Sequence, residues 1–248
     1  MPQSEMGQIC LKYQGVAGWA LANDGEHGGI GDFAVGGQGT AEIDSGVVPV
    51  AGGNGARLTT TNEADHCIAI GTTNAFSPAL NGPLVFEARV QFNNLATKEA
   101  YVGFSDIPID TVSIQTDIAH GGTTTVTNTA SDFCGFLLSA EFTDTDDWHL
   151  IHNGGATAAS SVTSTDVDGT SYGVSDAVAG QWQVLRVEID PSGDARWYVD
   201  GELVKSVTAA CSTTVKLGAI AAVEAKGAAV EEMDLSYAVF RANRDWTV

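Results

Sequence analysis

The sequence predicts an all-β protein: a two-sheet antiparallel jelly-roll sandwich carrying a loop-rich N-terminal arm. Three observations predict it. Apolar and polar residues alternate with period two in run after run. Turn residues separate those runs, and the 29 glycines supply most of them. Capped helical periodicity is nearly absent. A chain of 248 residues suits one large sandwich, and no repeat or charge-block linker divides it. The boundary is expected near residue 55, with an arm or sandwich edge over 1–55 and the sandwich over 56–248.

The elements follow in chain order. The arm is Gly-rich in GEHGGIGDFAVGGQGT and AGGNGA, with isolated apolar residues Ile9, Leu11, Tyr13, Trp19, Leu21 and Phe33. These six are candidate anchors for docking on a partner, because such a segment gains order by burying them. The alternative is that the segment completes the sandwich edge. In LVFEARVQF, Leu84, Phe86, Ala88, Val90 and Phe92 share one face. FCGFLLSA, residues 133–140, is apolar on both faces, which predicts a strand covered on both sides. Leu185, Val187 and Ile189 point inward from the next run. The turn Asp190–Asp194 leads to a strand with Trp197 and Val199 on one face and Arg196 and Tyr198 on the other. Asp200-Gly201 predicts a two-residue type I′ hairpin into Leu203, Lys205 and Val207. KLGAIAAVEA would face inward through Leu217, Ala219, Ala221, Val223 and Ala225, whose small side chains suit closely packed sheets. In EEMDLSYAV the inward set would be Met233, Leu235, Tyr237 and Val239. About a dozen or more strands, antiparallel with one wet face, make a sandwich of jelly-roll type.

Charge excludes several partners. Lys+Arg is 11 against Asp+Glu 31, a net charge of -20. No basic cluster exists to displace counterions from nucleic acid, and anionic membranes repel such a chain. No stretch approaches the length of a membrane span. The start, MPQSEMGQIC, lacks the basic and apolar regions of a secretory signal. Synthesis in a reducing cytoplasm is therefore expected, with Cys10, Cys67, Cys134 and Cys211 as free thiols and Cys134 buried.

The run Gln181-Trp182, Leu185-Arg186-Val187-Glu188, Gly193 and Trp197-Tyr198-Val199-Asp200-Gly201 resembles the concanavalin A-like lectin/glucanase superfamily. Over about Pro83 to Phe240, the order LVFEARVQF, YVGFSD, DFCGFLL, WQVLRVEID, WYVDGELV and LGAIAAVEAKG is similar to jelly-roll structural proteins of tailed bacteriophage virions. That resemblance implies a non-enzymatic virion structural protein, a capsid decoration or accessory protein on a phage head. Its partners would be the major capsid protein or other virion proteins, and it would form a homo-oligomer or symmetric array. It would be made in the host cytoplasm and located in the virion. The alternative is a lectin-like carbohydrate-binding module, and a third reading is a polysaccharide depolymerase.

The motifs favour no catalysis. Jelly-roll glucanases carry Glu-x-Asp-x-x-Glu, and alternation aligns those carboxylates as nucleophile and general acid. Glu188 and Asp190 fill the first two places, but Ser192 and Gly193 stand where the third carboxylate belongs. Glu42 and Asp44 fail in the same way. His149 and His152 would point to opposite faces of a strand, so a joint metal site is not expected. Trp148 is expected to pack. Thr143–Asp147 and Asp166–Gly169 offer oxygen ligands without EF-hand spacing, so no cofactor is assigned and bound calcium stays open. No Gly-x-Ser-x-Gly and no phosphate loop occurs.

Overall fold

The computed structural model describes residues 8–12, 29–30, 33–39, 45–50 and 55–243, and of residues 8–12, 29–30 and Pro49 the backbone alone. One sheet contains β1 (Gln8–Lys12), β4 (Gly46–Pro49), β5 (Ala56–Thr59), β7 (Leu84–Gln91), β14 (Gln183–Ile189), β15 (Ala195–Val199), β16 (Glu202–Val207) and β18 (Glu232–Asn243). Its order is β16-β15-β14-β7-β18-β5-β4, and β1 also pairs with β18. The second sheet contains β2 (Gly29–Ile30), β3 (Phe33–Gly36), β6 (Cys67–Gly71), β8 (Lys98–Ser105), β11 (Phe133–Ser139), β12 (His149–Asn153) and β17 (Gly218–Ala225). Its order is β12-β11-β8-β17-β6-β3-β2. All pairings are antiparallel, as a wet-faced sandwich requires.

Alternation decides which side chains face in. Leu84, Phe86, Ala88 and Val90 of β7 are buried, and Val85, Glu87, Arg89 and Gln91 are only partly so. Leu185, Val187 and Ile189 of β14 and Trp197 of β15 join them in the core. Opposite stand Leu217, Ala219, Ala221 and Val223, together with Cys134, Phe136 and Leu138 of β11. Asp200 and Gly201 have φ of 51° and 88°, the two left-handed positions that a type I′ turn needs. One expectation fails. The register of β18 shifts between Leu235 and Tyr237, a bulge that reverses the alternation. Ala238 and Phe240 are therefore buried, and Tyr237 faces outward.

The seven-stranded sheet is covered on its outer face as well. β9 (Ala119–Gly122), β10 (Thr125–Asn128) and β13 (Ser161–Thr163) form a small third sheet. Ile109, Val112, Ile114, Ile118 and Val126 of this layer pack on Cys67, Tyr101, Phe133, Leu137 and Ile220. This second core is why β11 is apolar on both faces.

The first 55 residues supply strands to both sheets. β1 pairs along β18, so the backbones of Ile9 and Leu11 lie opposite Ala242 and Phe240. β3 pairs with β6 and β4 with β5. Phe33 is buried, with its ring 6.2 Å from that of Phe86. It is a core residue rather than a docking anchor. Tyr13, Trp19 and Leu21 lie outside the described residues.

Candidate functional site

Alternation also builds the outer face of the eight-stranded sheet. Each strand that sends apolar side chains inward must send the intervening ones outward. β7 presents Glu87 and Arg89, β14 presents Arg186 and Glu188, and β15 presents Arg196 and Tyr198. The β18 bulge adds Tyr237. Register places Arg186 opposite both Glu87 and Tyr198, and Tyr237 opposite Arg89.

These side chains hold one another. Tyr198 donates its hydroxyl to Glu188 Oε2 at 3.1 Å, and Tyr237 donates to Glu87 Oε1 at 2.9 Å. Arg186 pairs with Glu188 Oε1 and lies 5.0 Å from the Tyr198 ring centre. Arg89 lies 5.0 Å from the Trp182 ring centre, within cation–π range. Burial, followed by Glu87, pushes the Tyr237 hydroxyl up to about 12. Burial and Glu188 push Tyr198 in the same direction. Every arginine among the described residues lies on this face: Arg57, Arg89, Arg186, Arg196 and Arg241. Arg57 pairs with Asp234 at 2.6 Å and Glu232 at 2.9 Å, and Arg196 pairs with Asp190 at 3.4 Å. The result is a charge-matched face of aromatic rings and hydrogen-bonding groups on a chain of net charge -20.

The two residues that open a glucanase-like motif are already committed elsewhere. Both oxygens of Glu188 are occupied, by Arg186 and Tyr198. Asp190 Oδ1 accepts the backbone N–H groups of Ser192 and Asp194 and so closes its turn. Glu42 and Asp44 lie outside the described residues.

The remaining sequence candidates separate. Trp148 is fully buried, and its Nε1 donates to Gln183 Oε1 at 2.9 Å. His149 stacks on Phe142 at 3.8 Å on the outer side of β12, and His152 meets Trp197 edge-on at 6.0 Å on the inner side. The two acidic loops do converge. Asp147 accepts the Thr170 hydroxyl at 2.8 Å, and burial, with Asp168 and Asp176 close by, pushes its carboxyl up to about 8. No group of three or more His, Cys, Asp or Glu side chains that could hold a metal ion occurs among the described residues.

Sequence reasoning missed a second carboxylate pair. Glu99 of β8 and Glu224 of β17 are direct cross-strand partners beneath the third layer, and both are fully buried. The available signal was a lone glutamate in the otherwise apolar run GAIAAVEA. Alternation alone assigns such a residue to solvent.

Known structures share the two-sheet fold. A protein of unknown function from Shewanella oneidensis MR-1 superposes with a TM-score of 0.61 at 10% identity, over 98% of this chain and 89% of that one. The Bacillus licheniformis β-glucanase superposes with a TM-score of 0.53 at 12% identity, over 94% and 97%. Peanut lectin bound to a nine-residue peptide gives 0.55 at 13%, over 95% and 97%. The fold is the concanavalin A-like lectin/glucanase jelly roll. No protein-family model and no curated protein matches the chain. Within the lectin/glucanase fold, likeness at this level of identity carries architecture, and function rests on the site.

Proposed function

We propose that this is a non-catalytic carbohydrate-binding protein whose recognition surface is the outer face of the eight-stranded sheet. The observation that carries the reading is the strip of Trp182, Tyr237 and Tyr198 interleaved with Glu87, Arg89, Arg186 and Glu188. Aromatic faces stack on the C–H faces of sugars, and fixed carboxylates and guanidinium groups bond ring hydroxyls. The lectin among the structural neighbours lends the reading coarse support. Against catalysis stand the occupied oxygens of Glu188 and the covered position of the Glu99–Glu224 pair. The test is a glycan array with wild type, Trp182→Ala and Tyr198→Ala. Selective binding that falls at least tenfold in both variants, with an unchanged β-rich spectrum, supports the proposal. Retained binding in both variants, or none in wild type, overturns it.

The resemblance to phage virion proteins supports a second reading, in which the same face docks on a particle. Its specific support is electrostatic. Among the described residues arginine is confined to a face where carboxylates match it, so this face approaches another acidic protein with little repulsion. Arg186→Glu should then abolish binding to particles that lack the protein. Undiminished binding by that variant would remove this reading.

A further inference from the structure

Cys67, Glu224, Glu99 and Ser139 form one row across four neighbouring strands. Glu224 stands opposite Cys67 on one side and Glu99 on the other, and Glu99 stands opposite Ser139. Directly opposed residues on one sheet face have Cβ atoms about 4.5–5.5 Å apart. All four side chains are fully buried. Their cover is the third layer, and Glu224 grips it. Glu224 Oε2 accepts the Ser113 hydroxyl at 3.0 Å and the N–H groups of Ile114 at 2.5 Å and Gln115 at 3.4 Å. Glu99 Oε1 accepts the Ser139 hydroxyl at 2.7 Å. β9 lies so close to the row that a Cβ on Gly121 would stand 2.7 Å from Ser139 Oγ.

The second oxygen of each carboxylate, Glu99 Oε2 and Glu224 Oε1, is buried without a hydrogen-bond partner. Two acceptor-only oxygens on adjacent side chains in a dry layer are costly. A proton on either carboxyl removes one of the two buried charges and leaves that group a donor as well as an acceptor. It also balances charge. Among the described residues Lys226 is the cation beside this row, with Nζ 3.8 Å from Glu99 Oε1 and 3.8 Å from the half-exposed Glu141. One ionised carboxylate matches Lys226, and a second leaves a buried charge uncompensated.

We propose that Glu99 and Glu224 bind a single shared proton, and that this proton latches the layer over residues 113–122 onto the seven-stranded sheet. Loss of the proton sets two carboxylates against each other at the point where Glu224 holds Ser113, Ile114 and Gln115. The layer then opens more readily. Burial is the first cause that pushes both carboxyls up, each to about 7, which keeps a proton on the pair at neutral pH. The other titratable groups around the row are Cys67, Tyr101, Lys226, Glu141, Asp117 and His120. Burial pushes the Cys67 thiol and the Tyr101 hydroxyl well up, so both stay neutral throughout. Asp117 is engaged with the Ser113 N–H at 2.9 Å.

In the opened layer a free Glu titrates at about 4.3. The folded values lie above that, so the latch is complete below about 4.3 and weakens as pH rises to about 7. Hydrogen exchange of the 114–122 amides, corrected for intrinsic chemistry, reads this directly. The opening constant should rise about tenfold per pH unit between about 5 and 7, and level off above about 8. Glu99→Gln/Glu224→Gln removes both titrating carboxyls, so its opening constant should be flat over that range. A flat profile in wild type, or a slope retained in the double variant, overturns the proposal. Infrared spectroscopy provides a second check, in an Asp147→Asn background because that carboxyl is also pushed up. There a protonated-carboxyl band should persist at about pH 6 and vanish above about pH 8. Absence of that band at about pH 6 also overturns the proposal.

Discussion

Trp197 of the eight-stranded sheet donates its indole N–H to the carbonyl oxygen of Gly135 in the seven-stranded sheet, at 2.9 Å. The sandwich is therefore tied across its core by a hydrogen bond as well as by packing. Trp197 is fully buried, with Lys205 Nζ 5.7 Å from its ring centre. Trp197→Ala should lose about 3–5 kcal/mol, the usual cost of emptying a large aromatic site. Trp197→Phe keeps most of the ring volume but removes the donor, and should lose about 1–3 kcal/mol. Urea unfolding midpoints check both, and a Phe variant as stable as wild type would remove the hydrogen bond from this account.

Gly103 and Gly135 are cross-strand partners, and the ring of Tyr101 lies over them. Tyr101 is fixed there by its hydroxyl bond to the Phe104 carbonyl at 2.6 Å. A Cβ on Gly135 would stand 2.6 Å from the Tyr101 ring. Gly135→Ala should therefore lose about 1–3 kcal/mol through overpacking. Adding Tyr101→Ala should cost less in the Gly135→Ala background than in wild type, because the clash is gone. Strict additivity in thermal denaturation would contradict the contact.

Cys67, Cys134 and Cys211 are free and buried. Burial pushes the thiols of Cys67 and Cys134 well up, which suppresses the reactive thiolate. These three should be silent to a thiol reagent in the native protein. All four cysteines should react after denaturation without reductant. Rapid native labelling of Cys134 would contradict the covered strand.

Stability should fall as pH rises from about 5 to about 8. Glu99 and Glu224 are pushed up to about 7 and Asp147 to about 8, burial being the first cause for each. A carboxyl raised in the folded state stabilises fully below its unfolded value, and that gain is lost as pH climbs to the folded value. His152 acts in the opposite direction. Burial and Lys205 lower it to about 4, so acidification below about 6.5 also destabilises. Urea midpoints across this range test the sign, and a midpoint that rises steadily from about pH 5 to about pH 8 would refute it.

Laminarin and lichenan should release no reducing ends on prolonged incubation. Glu188 has both oxygens occupied and Asp190 closes a turn, so neither is free to attack or to protonate a glycosidic oxygen. Turnover that disappears in Glu188→Gln would reverse this prediction.

The sandwich was legible in the sequence wherever a strand has one wet face and one dry face. β7, β14 and β15 follow strict alternation, and Asp200-Gly201 announces its turn because only a few residue types tolerate φ > 0 twice in succession. Those signals are local, so residues 84–92 and 183–207 suffice to read them. The charge excess, the missing third carboxylate after Glu188 and the doubly apolar β11 were equally local.

Tertiary structure alone decided the rest. A bulge after Leu235 turns Tyr237 outward to meet Glu87, because one extra residue reverses a period of two and the sequence carries no mark of it. Phe33 becomes core because β3 pairs with β6, a long-range choice made by sheet assembly. Asp147 meets Asp168 and Asp176 only when two loops separated by β12 and β13 converge. Glu99 and Glu224 are 125 positions apart. Alternation assigns Glu224 to solvent, and only the layer folded over the sheet makes it a dry partner of Glu99. Alternation is a property of one strand, whereas burial of its outward face depends on what the rest of the chain lays across it.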